Sequence, residues 1–306
     1  ESKMMNECLS KFSILLGEYY SKFSLCFREI CKSISFIDYI CNIGYVSIKN
    51  GYTKPNITIS NSNESWINAI NVRHPIIENK NRNLEYIGNN IIIGNDYING
   101  MLLYGVNAVG KSSYMKSVGI LLIMAQSGFF VPCDSMDFCP FHRIYTRISN
   151  NDNIFKGQST FAVEMSELRT IVKYADKKSL VLGDELCCGT ETTSAIAIVS
   201  AGILRLSQNS NFIFATHLHQ LNNISVLHDC KNVKYYHMET ILDKANNKLI
   251  YDRKIKEGSG EAIYGLEVAK AMGLDEEFII TAEKIRKEIL GVQTTFISNK
   301  KSQYNS

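Results

Sequence analysis

One short segment constrains the fold of this chain more than any other feature. It reads Gly105-Val-Asn-Ala-Val-Gly110-Lys111-Ser112, which has the spacing G-x-x-x-x-G-K-S. A run of apolar residues precedes it and an amphipathic pattern follows it, which predicts a loop between a strand and a helix. Glycines let backbone N–H groups turn toward phosphate oxygens, and the first turn of a helix adds partial positive charge. The segment therefore predicts a site for a nucleoside triphosphate.

The side chains of this loop suit phosphate binding. Lys111 is expected to reach the β- and γ-phosphates of ATP, and the Ser112 hydroxyl is expected to ligate Mg²⁺. ATP and Mg²⁺ are therefore the expected ligands. The residues predicted to bind nucleotide in this segment are Gly105, Val106, Asn107, Ala108, Val109, Gly110, Lys111, Ser112 and Ser113.

A second apolar strand, predicted over 180–183, ends in the two acidic residues Asp184 and Glu185. Asp184 is expected to hold Mg²⁺, directly or through water. Glu185 is expected to polarise the attacking water as a general base, an effect worth about 10²–10⁴-fold in rate. In isolation the pair would be solvated acids at a strand end, but the phosphate loop upstream favours a catalytic interpretation.

His217 follows a third predicted strand, in the run Phe214-Ala-Thr-His. Ligands of parallel sheets lie at the carboxyl ends of the strands, so this histidine is expected to sense the γ-phosphate. His219 is expected to point elsewhere and is excluded from the site. Since no cluster of metal-ligand residues accompanies the two histidines, a zinc site is rejected.

Helical and strand patterns alternate through the middle of the chain, which predicts an α/β fold with a mostly parallel sheet and helices on both faces. Residues 1–45 are predicted to form a helical pair or one long helix, and residues 46–66 a polar connector. The predicted strands are 69–72, 91–93, 101–104, 180–183 and 212–215, with a hairpin formed by 233–242 and 248–255. The predicted helices are 112–127, 160–174, 192–206, 262–272 and 275–290.

Composition limits the remaining possibilities. The formal net charge is only +3, so nucleic-acid binding cannot be argued from charge. No apolar run reaches the roughly 18–20 residues that a membrane span requires, and no membrane partner is expected. The nine cysteines form no C-x-x-C pair, which favours reduced thiols. The protein is expected to be soluble and intracellular.

These segments, in this order, resemble the MutS family of DNA mismatch-repair ATPases, in a divergent branch found in large DNA viruses and organelles. The phosphate loop, with Asn107 at its third position, is similar to the MutS form. The other matching motifs are Arg73-His-Pro-Ile-Ile-Glu78, Ser159-Thr-Phe-Ala-Val-Glu164-Met, Asp184-Glu185-Leu-Cys-Cys-Gly-Thr, Ala215-Thr-His217 and Gly258-Ser-Gly-Glu-Ala-Ile-Tyr-Gly.

The resemblance implies an architecture and a set of partners. MutS proteins have ABC-like P-loop ATPase domains that form dimers with composite ATP sites. The implied domains are the end of a helical lever and core domain with its connector (1–66), the ATPase domain (67–256), a helix-turn-helix dimerisation segment (257–292) and a polar tail (293–306). The implied partners are a second subunit, identical or different, and double-stranded DNA with a mismatch or lesion, bound mostly outside this chain.

The resemblance also implies roles for individual residues. Ser159 would reach the γ-phosphate bound to the other subunit, and Asn107 would contact nucleotide or the catalytic water. Tyr86 and Ile87 match the place where an aromatic residue packs on adenine, although Tyr86 by itself could equally be a core aromatic.

The chain departs from the family pattern at several positions. Val106 and Val109 stand in the phosphate loop where the family usually has Pro and Gly, and Cys188 stands where it has Arg. These changes keep open a nucleotide-gated scaffold without efficient hydrolysis. A MutS relative acting on recombination structures fits equally well. A different ABC-type ATPase is disfavoured, because the Ser159 motif replaces its Leu-Ser-Gly-Gly-type signature.

Overall fold

The computed structural model of the chain describes residues 2–59, 63–80, 85–94, 97–106, 109–148, 160–187, 190–243, 248–260, 266, 269–270 and 272–288. The strands are β1 (Asn56–Ile57), β2 (Trp66–Val72), β3 (Asn89–Ile93), β4 (Gly100–Tyr104), β5 (Ser135–Cys139), β6 (Arg143–Arg147), β7 (Ser179–Asp184), β8 (Asn211–Thr216), β9 (Val233–Asp243) and β10 (Lys248–Glu257). The helices are α1 (Ser2–Asn50), α2 (Pro75–Lys80), α3 (Lys111–Gln126), α4 (Thr160–Tyr174), α5 (Thr192–Asn209) and α6 (Ser225–His228), with a 3-10 helix at His219–Asn223.

The N-terminal helix α1 is one continuous element of 49 residues, which is about 74 Å long at 1.5 Å per residue. It ends at Asn50. The next residue, Gly51, has a φ of 61°, and the Tyr52 N–H donates to the Ser47 carbonyl oxygen at 2.9 Å. This is the pattern of a glycine C-cap. The sequence prediction ended the helix too early, at residue 45, because polar residues of the last turn stay helical until a glycine accepts the left-handed conformation.

The larger sheet has the strand order β10-β9-β4-β8-β7-β6. Strands β9, β4, β8, β7 and β6 are parallel, and β10 runs antiparallel in a hairpin with β9. The sheet is therefore mostly parallel, and the predicted hairpin is present. Strand β6 was not predicted.

A smaller mixed sheet with the order β1-β5-β2-β3 was also not predicted. Strand β2 pairs antiparallel with both β3 and β5, and β1 pairs parallel with β5. Since β1 lies within the predicted connector, that part of the connector is a sheet edge. The predicted domain limits themselves stay predictions.

Side chains of the larger sheet alternate between two buried clusters. Leu103, Leu182 and Ile213 belong to the cluster that includes α3, whereas Leu102 and Phe212 belong to the cluster that includes α5. Successive side chains of a strand point to opposite faces, so helices cover both faces of this sheet.

Helix α3 is buried on most of its surface because it lies between the two sheets. Val118 is fully buried in one cluster with Ile67 and Ile93 of the smaller sheet. A Cβ at Gly119 would lie 3.0 Å from Cδ1 of Leu182, so α3 approaches β7 closely. This packing fixes the start of α3 at the edge of the larger sheet, where the phosphate loop lies.

Near the end of the described chain, residues 269–270 are helical, a turn lies at 272–273, and a second helix covers 276–288. Gly273 has a φ of 80°, and the Leu274 N–H donates to the Ala269 carbonyl oxygen at 3.2 Å. The predicted helix-turn-helix falls partly on residues outside the described ranges, as does the tail from 289 onward, so both stay predictions.

No helix within the described ranges combines the length and the apolar character needed to cross a membrane. The cysteines that the structure describes are free thiols, and their redox state stays a prediction.

Candidate functional site

Three neighbouring strands bring the candidate residues to one edge of the larger sheet. Strand β8 lies between β4 and β7 and is parallel to both. The last residues of β4 and β8 pair with each other, and Asp184 of β7 pairs with Ala215 of β8. The carboxyl ends of these strands therefore coincide. The phosphate loop, Glu185 and His217 follow β4, β7 and β8 and meet at this edge, which is where ligands of parallel sheets bind.

The phosphate loop turns on two glycines. Gly105 has a φ of 151° and Gly110 a φ of 122°, and residues with side chains rarely adopt such angles. A Cβ at Gly105 would also lie 3.0 Å from Cγ1 of Val109. Val109 is fully buried in the core, so this departure from the family pattern packs inward. Helix α3 begins directly after Gly110, which directs its first N–H groups toward the loop.

Lys111 is only 4% exposed, and its ammonium group is held inside the loop. Nζ donates to the carbonyl oxygens of Gly105 at 2.6 Å and Val106 at 3.1 Å. It also lies 4.0 Å from Oε1 of Glu185. Burial lowers the pKa of Lys111, while the carboxylates of Glu185 and Asp184 oppose that shift. The structure thus brings the lysine of the loop next to both acidic residues.

Asp184 ends β7 with a half-buried side chain. Its Oδ1 atom is buried and has no hydrogen-bond partner among the described residues. Burial raises the pKa of Asp184; a hydrogen bond with the Ser112 hydroxyl opposes this shift, and the neighbouring Glu185 adds to it. A buried carboxylate oxygen without a partner costs free energy unless a ligand satisfies it.

The pair of Asp184 and Ser112 fits Mg²⁺. Both supply oxygen atoms, which Mg²⁺ prefers, and this ion usually takes one or two carboxylates and completes its shell with water and substrate phosphates. Among the described residues, no group of three or more acidic, histidine or cysteine side chains could hold a metal ion.

Glu185 adopts a left-handed backbone conformation with a φ of 49°. Its N–H donates to the Ala215 carbonyl oxygen at 2.9 Å, and its side chain is 30% exposed. A residue with a side chain in this conformation costs on the order of 1–3 kcal/mol and persists where its surroundings impose it. The turn therefore presents a partly exposed carboxylate beside Lys111, as a general base requires.

His217 is exposed directly after β8, at the same edge. His219, which the sequence interpretation excluded, packs on Tyr104 with the ring centroids 5.2 Å apart. Burial lowers the pKa of His219, and the charges of His217 and Lys111 lower it further. The His219 ring thus lies on the residue that precedes the phosphate loop, while His217 faces solvent.

The residues predicted to contact adenine lie on the wall of a separate cavity. Tyr86 and Ile87 line a cavity of about 790 Å³ together with Arg73, Glu78 and Lys254. The described residues of the phosphate loop do not line it. The structure therefore does not join these two residues and the loop in one cavity, and their adenine role stays a prediction.

Some predicted residues lie outside the described ranges. These are Asn107, Ala108 and Ser159, together with Cys188, where the chain departs from the family pattern. Their roles stay predictions. Ser113 lies in the first turn of α3 and is partly buried.

Sequence reasoning assigned no role to two charged residues near this edge. Glu164 of α4 is 4% exposed, and its Oε1 accepts a hydrogen bond from the Cys187 N–H at 2.6 Å. Arg147, at the end of β6, is 7% exposed, and its Nε lies 3.0 Å from Oε2 of Glu167. The partners are distant along the chain, so no spacing indicated either contact. Glu164 belongs to the Ser159 motif, and this was the sequence feature that could have pointed to it.

Residues 101–290 match the family model of MutS domain V. The chain belongs to the MutS family. It is 36% identical to a mutS homolog of Acanthamoeba polyphaga mimivirus, over 96% of this chain and 29% of that protein. It is 38% identical to the mitochondrial DNA mismatch repair protein mutS homolog of Sarcophyton glaucum, over 90% of this chain and 27% of that protein. It is 35% identical to the DNA mismatch repair protein MutS of Lactobacillus johnsonii, over 90% of this chain and 32% of that protein.

The chain spans less than a third of the length of these MutS relatives. A viral and a mitochondrial protein are among them, which supports the resemblance drawn from the sequence. The matched region contains the phosphate loop, the acidic strand and His217. Family membership therefore applies to the part of the chain that forms the candidate site.

Proposed function

We propose that this chain is the ATP-binding and ATP-hydrolysing domain of a MutS-like DNA mismatch-repair protein. The observation that carries the proposal is the convergence of the phosphate-loop lysine with Asp184 and Glu185 at one edge of a parallel sheet. The unpaired buried oxygen of Asp184 beside the Ser112 hydroxyl supports Mg²⁺ as part of that site.

The proposed mechanism assigns one task to each residue of this edge. Lys111 binds the β- and γ-phosphates, and Ser112 and Asp184 hold Mg²⁺. When bound, the ion neutralises charge on the phosphate oxygens. Glu185 accepts the proton of the attacking water. His217, which is exposed at the same edge, senses the γ-phosphate.

The proposal includes a composite site shared by two subunits, either identical or different. Exposed apolar side chains in the C-terminal segment support it, since Met272 is 79%, Phe278 56% and Ile280 62% exposed. Large apolar side chains exposed to this degree gain free energy when a partner buries them. In the dimer, Ser159 would contact the γ-phosphate held by the other subunit, and residues 257–292 would form the helix-turn-helix contact.

We also propose that ATP binding is coupled to double-stranded DNA with a mismatch or lesion. The support is that the Sarcophyton glaucum and Lactobacillus johnsonii relatives are named DNA mismatch repair proteins. The DNA contact would lie mostly in regions that these longer relatives have beyond the matched part, because the net charge of this chain is only +3 and gives no basic surface signal. Helix α1 is the proposed connection to those regions.

The first experiment measures ATP turnover per chain over a range of protein concentrations, in the natural full-length protein with Mg²⁺ present. Turnover per chain should rise with concentration, because a composite site forms only in the dimer. Glu185→Ala should lower turnover by about 10²-fold or more, the range for loss of a general base. ATP affinity should change little in that variant, because Glu185 is not placed on the phosphates.

Each alternative has its own outcome in this experiment. ATP binding without turnover at any concentration would contradict hydrolysis and favour the nucleotide-gated scaffold. Turnover per chain that does not depend on protein concentration would contradict the composite site but not ATP hydrolysis. Stronger stimulation of ATP turnover by a four-way DNA junction than by a mismatched duplex would favour a MutS relative that acts on recombination structures.

A further inference from the structure

The turn that carries Glu185 has an unusual backbone. Glu185 has a φ of 49° and Cys187 a φ of 64°. Positive φ is uncommon for residues with side chains, because Cβ then approaches the backbone too closely. Two such residues in one short turn require contacts from the surrounding structure, without which the turn would relax.

Glu164 supplies such a contact from helix α4. Its Oε1 accepts the hydrogen bond from the Cys187 N–H at 2.6 Å. Glu164 is 4% exposed and Cys187 is 1% exposed, so the bond is shielded from water. A hydrogen bond to a carboxylate is roughly twice as strong as a neutral one. A second point of attachment is the Glu185 N–H, which donates to the Ala215 carbonyl oxygen at 2.9 Å.

Helix α4 is itself attached to the strand ends. Glu167 lies on the same face of α4 as Glu164, because residues three apart in a helix are neighbours. Oε2 of Glu167 lies 3.0 Å from Nε of Arg147, and Arg147 pairs with Gly183 across β6 and β7. One face of α4 therefore contacts both the carboxyl end of β6 and the turn that follows β7.

We propose that Glu164 is a positioning residue, which fixes the turn after β7 and thereby sets the direction of the Glu185 carboxylate. The inference rests on the proposed role of Glu185 as general base. Glu164 acts through the backbone of Cys187 and does not touch the nucleotide. A general base must lie within hydrogen-bond reach of the proton it accepts, and a displacement of about 1 Å can cost about 100-fold in rate.

The test compares two variants of Glu164 in the natural full-length protein. Glu164→Met keeps most of the side-chain volume but removes the acceptor, and it should lower kcat for ATP about 10- to 100-fold. The Kd for ATP should stay within about 3-fold of wild type, because the phosphate loop is untouched. Glu164→Gln keeps an oxygen at the same place and should recover most of the loss. Arg169→Ala, an exposed position on the same helix, should leave kcat and Kd unchanged.

Amide hydrogen exchange of Cys187 separates positioning from a general loss of structure. Exchange should be faster in Glu164→Met, while the amides of β7 and α3 keep their protection. If Glu164→Met does not fold, Glu164→Gln decides the question. Its weaker, neutral acceptor should still speed exchange of the Cys187 amide, and unchanged exchange would overturn the inference.

The kinetic outcomes separate this inference from the proposed function. A folded Glu164→Met protein with kcat within about 3-fold of wild type would overturn the inference alone. Equal losses of kcat in Glu164→Met and Glu164→Gln would also overturn it, because the hydrogen-bond acceptor would then not matter. Absence of ATP turnover in the wild-type protein would instead reject the proposed function.

Discussion

At the scale of single residues, the site holds charged groups in places where burial costs stability. Burial lowers the pKa of Lys111 and raises the pKa of Asp184. Both shifts have the same first cause, which is the loss of water around a charge. The distance of 4.0 Å between Nζ of Lys111 and Oε1 of Glu185 offsets part of that cost. The proposed ligand, ATP with Mg²⁺, would compensate both buried charges.

Asp184→Asn should make the protein more stable. The folded-state pKa of Asp184 is raised above its unfolded value by burial, so the ionised carboxylate costs folding free energy at neutral pH. That cost shrinks as pH falls through the folded-state pKa and is gone below the lower pKa of the unfolded state. Because the group is only partly buried, the melting temperature near pH 7 without Mg²⁺ should rise by no more than about 2–4 °C, or about 1 kcal/mol. Thermal melts at several pH values should show the gain shrinking toward acidic pH.

The same variant should lose its response to Mg²⁺. A ligand that binds only the folded state adds about 2.7 kcal/mol of stability at 100 times its Kd. Melts with ADP and increasing Mg²⁺ should show this rise in wild type and in the control Asp229→Asn, whose residue lies exposed in a turn. A full Mg²⁺ response in Asp184→Asn would remove Asp184 from the set of metal ligands.

The site residues that could be predicted from the sequence are those joined by short spacing. The phosphate loop is one continuous segment, and Asp184 and Glu185 end one strand, so local patterns locate both. The contact between Glu164 and Cys187 depends on how a helix packs on a turn, which spacing does not encode. Tyr86 was placed by family resemblance alone, and its cavity is lined by other residues than the loop.

At the scale of elements, close packing decides which positions can carry a side chain. Gly100 begins β4 and pairs with Phe212 of β8, and a Cβ at Gly100 would overlap the ring of Phe212. In α5, by contrast, a Cβ at Gly202 would meet only Cδ1 of Leu168 at 4.0 Å, an ordinary contact distance. Gly100 makes room for an aromatic ring, whereas Gly202 only weakens its helix.

Alanine at these two glycines should therefore have opposite effects. Gly100→Ala should destabilise the fold by about 1–3 kcal/mol, the usual cost of overpacking. Gly202→Ala should stabilise it by about 0.5–1 kcal/mol, because alanine loses less backbone entropy in a helix. Urea unfolding midpoints measure both changes. Adding Phe212→Leu to Gly100→Ala should restore part of the lost stability. If the double variant is instead less stable than Gly100→Ala, the steric explanation is contradicted.

The elements that could be predicted are the long apolar or strongly periodic ones. Helix α4 has the bounds that its pattern indicated, and β4, β7 and β8 are runs of buried residues. Strands β5 and β6 were missed because each has five residues with polar and charged positions among them. They are strands because β2 and β7 offer them partners, and such tertiary pairing is not visible in a short sequence window.

At the scale of the whole molecule, helices α3 and α1 form a continuous path away from the site. Helix α3 starts at Lys111 and has 16 residues, so it spans about 24 Å. Just beyond its far end, the Ser127 carbonyl oxygen accepts a hydrogen bond from Oη of Tyr39 on α1 at 2.9 Å. The Tyr39 ring also packs edge-on against Phe129, with the centroids 5.5 Å apart. If nucleotide binds as proposed, a displacement of α3 at the phosphate loop would reach α1 at this contact.

Tyr39→Ala should weaken the proposed coupling between DNA and ATP turnover while basal turnover stays unchanged, since Tyr39 lies at the opposite end of α3 from the loop. Stimulation by a mismatched duplex should fall about 2- to 30-fold, which corresponds to the 0.5–2 kcal/mol by which single residues modulate coupling. Tyr39→Phe removes only the hydrogen bond and should reduce the stimulation less than Tyr39→Ala does. Tyr20→Ala, the same change at a position of α1 that is 69% exposed, serves as the matched control. Wild-type stimulation in Tyr39→Ala would mean that coupling takes another path. An equal fall in basal turnover would mean that Tyr39 supports the ATPase fold itself.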